Sequence, residues 1–141
     1  MMDRFVVALL SFFLGFALFF GTVVAPAIFG TVGAKTGGEI VSKIFPYYFA
    51  AATSLLGLAS ILALKGGWRK ASFALLVATV IAAFEEFFVL PTAEKLKFQS
   101  HGEFLFWHKV SVFLNGVEIL IAAVVLIWFL FFEGKTKEKK A

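Results

Sequence analysis

Apolar residues fall into long runs separated by short polar breaks: Phe5 to about Ala25, about Phe49 to Leu64, Ala71 to Leu90, and Phe104 to Phe132. A helix needs roughly 20 apolar residues to cross the hydrocarbon of a bilayer. The pattern therefore predicts an all-α integral membrane protein, an antiparallel bundle of four transmembrane helices forming a single domain. The helices are expected over about 5–26, 45–64, 70–91 and 104–132. The second is short unless Phe45, Pro46, Tyr47 and Tyr48 begin it, with Pro46 tolerated in a first turn. The fourth is long, so it must tilt or project beyond the bilayer.

Composition agrees with the pattern. Of 141 residues, 61% are hydrophobic, more than a soluble domain of this size can bury. The first run also mimics a signal peptide, with Arg4 before it and Ala25-Pro26-Ala27 after it. Its apolar length exceeds the roughly 7–15 residues of a signal core, which favours an uncleaved helix.

Charge sets an orientation. Arg4, Lys65, Arg69, Lys70, Lys135, Lys137, Lys139 and Lys140 flank one side of the predicted bundle. Lys35, Lys43, Lys95, Lys97 and Lys109 flank the other. The heavier side is expected to be cytoplasmic, giving a multi-pass protein of the cell (inner) membrane with both termini inside. Trp68 and Trp128 then sit at the inner interface, and Tyr47, Tyr48 and Trp107 at the outer one. The expected partners are the bilayer and further copies of the chain, with no role for nucleic acid, because the basic residues cluster at helix ends. The tail from Glu133 to Lys140 reads as a solvated basic end in contact with anionic lipid.

Outside the runs, the stretch from Gly30 to Ser42 reads as a glycine-rich loop, and Thr92 to His101 as a surface helical extension. Pro26 and Pro91 each close an outward-going helix, a weak hint of internal duplication. Small residues suggest packing faces: Ser11, Gly15, Thr22 and Ala25 on the first helix, and Ala50, Ala51, Ser54 and Gly57 beside Tyr47 on the second.

Chemistry concentrates on the fourth helix. His108, Ser111, Asn115 and Glu118 fall within an arc of roughly 80°, one polar stripe. A carboxylate at mid-membrane costs about 3 kcal/mol on insertion scales, so it must face protein or a water-filled cavity. Measured from Trp107 along the helix, Glu118 lies about 16 Å deep, near the midplane. Glu85 and Glu86 lie about 8–9 Å inside the outer end of the third helix, counted from Pro91. They point about 100° apart, so only one can face the bundle. They read either as an interfacial pair neutralised by Lys95 or Lys109, or as a carboxylate joined to His108 at a proton or cation site.

Catalytic patterns are lacking, so no enzyme activity and no cofactor is expected. Cysteine is absent and methionine occurs only at Met1 and Met2, which excludes thiolate and soft-metal sites. His101 and His108 share one helical face and cannot clamp a haem from both sides. No Glu-x-x-His or zinc spacing occurs, and no metal site is assigned.

In order along the chain come Gly21-Thr-Val-Val-Ala-Pro26-Ala-Ile-Phe29, Gly38-Glu-Ile, Ile44-Phe-Pro-Tyr-Tyr48, Pro91, and His108-Lys-Val-Ser111 followed by Asn115. This order resembles the bacterial four-helix integral membrane family of unknown function, which is similar to animal transmembrane protein 205. The resemblance spans nearly the whole chain and rests on Pro26, Phe45, Pro46, His108, Ser111 and Asn115. It implies a membrane bundle without an assigned activity, and its animal relatives' link to platinum-drug resistance hints at export or trafficking. Two readings of the stripe stay open. One is a small transporter or channel-like component for protons, cations or small amphiphiles; the other is a non-catalytic scaffold whose polar network sets helix register. A membrane haem or redox protein ranks third.

Overall fold

The computed structural model describes residues 1–133; the basic tail and its expected contact with anionic lipid lie outside the described residues. Helix α1 runs Met2–Phe19, α2 Ala25–Lys65, α3 Arg69–Phe84, α4 Leu90–Leu96 and α5 His101–Trp128. Wide π-helical turns, Phe20–Val24, Glu85–Val89 and Phe129–Glu133, follow α1, α3 and α5.

Three helical stretches are long and apolar enough to cross a membrane: Met2–Lys65, Arg69–Leu96 and His101–Phe132. The sequence pattern counts four separate helices. The difference lies between Gly30 and Ser42, expected as a loop and found helical, which merges the first two runs. Within this stretch Gly33 alone departs from helical geometry, with φ 77° and ψ 172°, a conformation nearly reserved for glycine. The chain doubles back there. Phe20 lies 5.9 Å from Phe45, and Phe16 lies 5.2 Å from Tyr48, ring centre to ring centre.

The prolines also behave differently from expectation. Pro26 and Pro91 do not close their helices; each stands second in a helix that continues from a π turn. A proline has no N–H and its ring collides with the carbonyl four residues back. Widening the preceding turn relieves that conflict: the residue before each proline donates five residues back, Ala25 to Phe20 and Leu90 to Glu85. Pro46, expected in a first turn, lies inside α2, so the Ser42 carbonyl loses its helical donor.

Two ends follow from local chemistry. α2 stops in a Schellman turn, in which Trp68 N–H donates to Ala63 O at 2.9 Å and Gly67 N–H to Leu64 O at 3.0 Å. Gly67 takes the left-handed conformation, φ 86°, that this turn requires. α5 starts at Ser100, whose hydroxyl accepts from the Glu103 backbone N–H at 3.4 Å, half of a capping box.

α1 packs on α2, α2 on α3, α3 on α5, and α5 back on α1. The enclosed core contains Leu10, Phe13, Phe49, Leu56, Leu75 and Ala122. The small-residue faces expected to pack contribute only in part: Ser11, Gly15, Thr22, Ala50 and Ser54 are exposed, while Ala25, Ala51 and Gly57 are half-buried. Thr22 and Ser54 return their hydroxyls to Leu18 O and Ala50 O of their own helices, at 2.6 and 2.8 Å. With their donors satisfied in this way they can face lipid. α2 and α3 are tied instead by the buried Ser60 hydroxyl, which donates to Ser72 O at 2.8 Å. Phe12, Phe73, Phe113 and Leu120 are among many large apolar side chains left exposed, an outer surface suited to hydrocarbon and not to water.

Candidate polar membrane site

The stripe on α5 divides among different partners. Ser111 is buried, and its hydroxyl donates to Glu85 Oε1 at 2.7 Å. Asn115 Nδ2 donates to the Tyr48 hydroxyl at 3.0 Å, joining α5 to α2. Glu118 is fully buried, and its carboxyl group neighbours that of Glu85. His108 is exposed and stacks on Phe104, with ring centres 6.1 Å apart. The expected joining of His108 to a carboxylate is not seen; Ser111 takes that place one turn deeper.

Of the two adjacent glutamates, Glu85 faces the bundle and is fully buried, whereas Glu86 is half-buried. Among the described residues neither forms an ion pair with Lys95 or Lys109, so the interfacial-pair reading fails. Glu85 opens the π turn before Pro91 and continues the buried face of α3 that carries Ala78 and Ala82.

The carboxyl pair is poorly supplied with donors. Glu85 Oε2 and both oxygens of Glu118 are buried and have no hydrogen-bond partner. Two ionised carboxylates at this distance repel, and burial denies them water. Their contact becomes favourable only with a proton or a cation between them.

A cavity of about 580 Å³ opens above the pair. Its walls are mostly apolar, with Phe45, Pro46, Pro91 and Trp107 among them, and Ser42, Glu86, Glu94, Lys97, His108 and Ser111 are its polar members. A second cavity, about 330 Å³, lies between α1, α2 and α5 and includes Tyr48 and Asn115. Ser111 and His108 line both. Neither cavity touches Glu118; Glu85 and Ser111 stand between. Such volumes suit small ligands.

Pro26 lines neither cavity, and its role is in the helix path. Tyr47 is exposed, and the partner of the stripe is its neighbour Tyr48. The sequence contained the signal: Phe45, Tyr48, Phe49, Ala52 and Leu56 repeat at core-facing helical spacing. His101 begins α5 outside both cavities.

A family model described as a domain of unknown function (DUF4149) matches residues 8–102. That range includes Tyr48, Glu85 and Glu86 and stops before Ser111. The chain is also similar to an uncharacterised protein of Aquifex aeolicus (strain VF5), 34% identical over 128 residues, covering 90% of this chain and 96% of the relative. No solved structure matches.

Proposed function

The chain belongs to the DUF4149 family, and from that premise we propose that it is a small, non-enzymatic membrane transporter passing protons, small cations or small amphiphiles through the outer cavity. One observation carries this reading. Ser111 lines the cavity and, at 2.7 Å, holds the buried Glu85, so the cavity ends one hydrogen bond from a carboxyl pair near the membrane midplane. Ionisable groups placed there mark ion and proton pathways in membrane bundles. Glu85 and Glu118 take up the cation or proton, Ser111 links them to the cavity, and Glu86 draws cations to the mouth.

The reading includes four passes through the inner membrane with both termini cytoplasmic. Its support is the doubling back at Gly33, which sets Phe20 beside Phe45 and lets Met2–Lys65 cross twice. The likeness to animal transmembrane protein 205 stands on motif order and adds export or trafficking as the setting.

In proteoliposomes holding a pH-sensitive dye, an imposed potential drives proton or cation flux in the wild type, and Glu118→Gln lowers it towards that of empty vesicles. Equal flux in the two proteins, or none in the wild type, would sink the proposal. The Asn115–Tyr48 bond, a tie between helices remote in sequence, favours a second reading as a scaffold. On that reading no flux is measured and Asn115→Leu lowers thermal stability; if Glu118→Leu raises stability with no phenotype, the stripe is neither transport site nor required glue.

A further inference from the structure

The oxygens around Glu118 pose a problem of supply. Glu85 Oε2, Glu118 Oε1 and Glu118 Oε2 are three buried carboxyl oxygens without a donor. Two hydroxyls of the site are committed elsewhere: Ser111 donates to Glu85 Oε1, and Tyr48 is tied to Asn115. Asn115 gives its Nδ2 to Tyr48 at 3.0 Å, which leaves Oδ1 only a 3.3 Å contact with the same hydroxyl. Asn115 stands one turn before Glu118 on the same face of α5. Three carboxyl oxygens on two helical segments are therefore left without a donor, and the Asn115 amide oxygen is only weakly engaged. No lysine or arginine pairs with either carboxylate among the described residues.

A single proton between the carboxyl groups serves two of the three bare oxygens and, like one monovalent cation in its place, leaves the pair with one negative charge. A cation serves all of them together. We propose that Glu85, Glu118 and Asn115 form an occluded site for a small, hard monovalent cation of the sodium class, entered from the outer cavity past Ser111. This deepens the transport reading and rests on it for the route of access.

Ligand chemistry narrows the class. Carboxylate and amide oxygens are hard ligands and select against soft metals. Magnesium demands near-ideal octahedral geometry and calcium takes six to eight oxygens, more than two carboxyl groups and one amide supply. The wide turn at Glu85–Val89 is a helix interruption of the kind that accompanies ion sites in transporters. Glu86, half-buried on the cavity wall and without an ion-pair partner among the described residues, adds negative potential on the approach. The competing arrangement is a carboxylic acid dimer, in which two protons close the same oxygens.

Purified protein in detergent is assayed by equilibrium binding of radioactive sodium and by thermal unfolding in sodium chloride against choline chloride at matched ionic strength. The expected result is saturable binding of one sodium per chain and an unfolding temperature that rises with sodium. Both effects are lost in Glu118→Gln and Glu85→Gln and kept in His101→Gln, outside the site. Should the glutamate variants not fold, infrared difference spectra of the wild type with and without sodium decide. A shift in the carboxylate bands on adding sodium supports the site. A protonated carboxyl band that sodium leaves unchanged identifies the acid dimer and overturns it. Identical unfolding in sodium and choline, or stabilisation by magnesium or calcium alone, also overturns it. Sodium binding without vesicle flux would instead remove the transport reading and leave the site standing; proton flux without sodium binding would do the reverse.

Discussion

Ser111 is the smallest polar side chain of the α5 stripe and the one on which access depends. Among the described residues its hydroxyl is the one donor to the Glu85–Glu118 pair, at 2.7 Å to Glu85. Ser111→Ala removes that donor and leaves one more buried carboxyl oxygen bare, so stability in detergent should fall by about 1–3 kcal/mol. Denaturant titration followed by circular dichroism measures this; an unchanged midpoint would mean that water or an ion already serves Glu85. Tyr48 and Asn115 make a weaker, neutral contact. Tyr48→Phe should cost about 1 kcal/mol, and a double-mutant cycle with Asn115→Leu should return a coupling of about 0.5–1 kcal/mol. Zero coupling would show that the contact does not hold α2 to α5. The stripe itself was legible from spacing alone. Its partners were not, because Tyr47 and Tyr48 are adjacent and only packing decides which one points inward.

At the scale of the element, one backbone position controls the first long helical stretch. Gly33 has φ 77° and ψ 172°, and a Cβ there is strained even though nothing stands within 4 Å of it. Gly33→Ala should therefore destabilise by about 1–3 kcal/mol through the backbone alone. It should also loosen the approach of Phe20 to Phe45, read as reduced cross-linking between cysteines placed at those positions. Cross-linking and stability equal to the unsubstituted protein would locate the reversal elsewhere. The glycine-rich composition of 30–42 announced a turn, but it could not tell a floppy loop from a single non-helical residue between two helices. The prolines misled for a related reason. A proline usually marks a helix end, yet here a π turn absorbs the missing N–H at Pro26 and at Pro91. Whether a helix ends or widens depends on the neighbours that hold the chain beyond it.

Across the whole molecule, the expected topology makes a clear demand. With four passes, the N-terminal segment and Gly67 lie on one side of the membrane, and Gly33 and Gln99 on the other. With Met2–Lys65 crossing once, the N-terminal segment and Gly67 lie on opposite sides. The chain has no cysteine, so single cysteines at Met2, Gly33, Gly67 and Gln99 can be labelled without background by a membrane-impermeant maleimide in intact cells. Labelling at Gly33 and Gln99 but not at Met2 or Gly67 is the expected outcome. Opposite behaviour of Met2 and Gly67 would reject the four-pass arrangement.

Residue order alone determined that this chain is helical and built for a bilayer, because apolar run length and the exclusion of charge are properties of the sequence itself. It also determined that Glu118 needs a protein or aqueous environment, since lipid solvates no carboxylate. Only the tertiary structure decided what Glu118 meets. Glu85 and Glu86 share one apolar run, and packing buries the face that carries Leu75, Ala78, Ala82 and Glu85 while Glu86 stays at the cavity wall. The meeting of two carboxyl groups from α5 and the end of α3 is a long-range contact, fixed by how helices pack, and no local pattern in either segment encodes it.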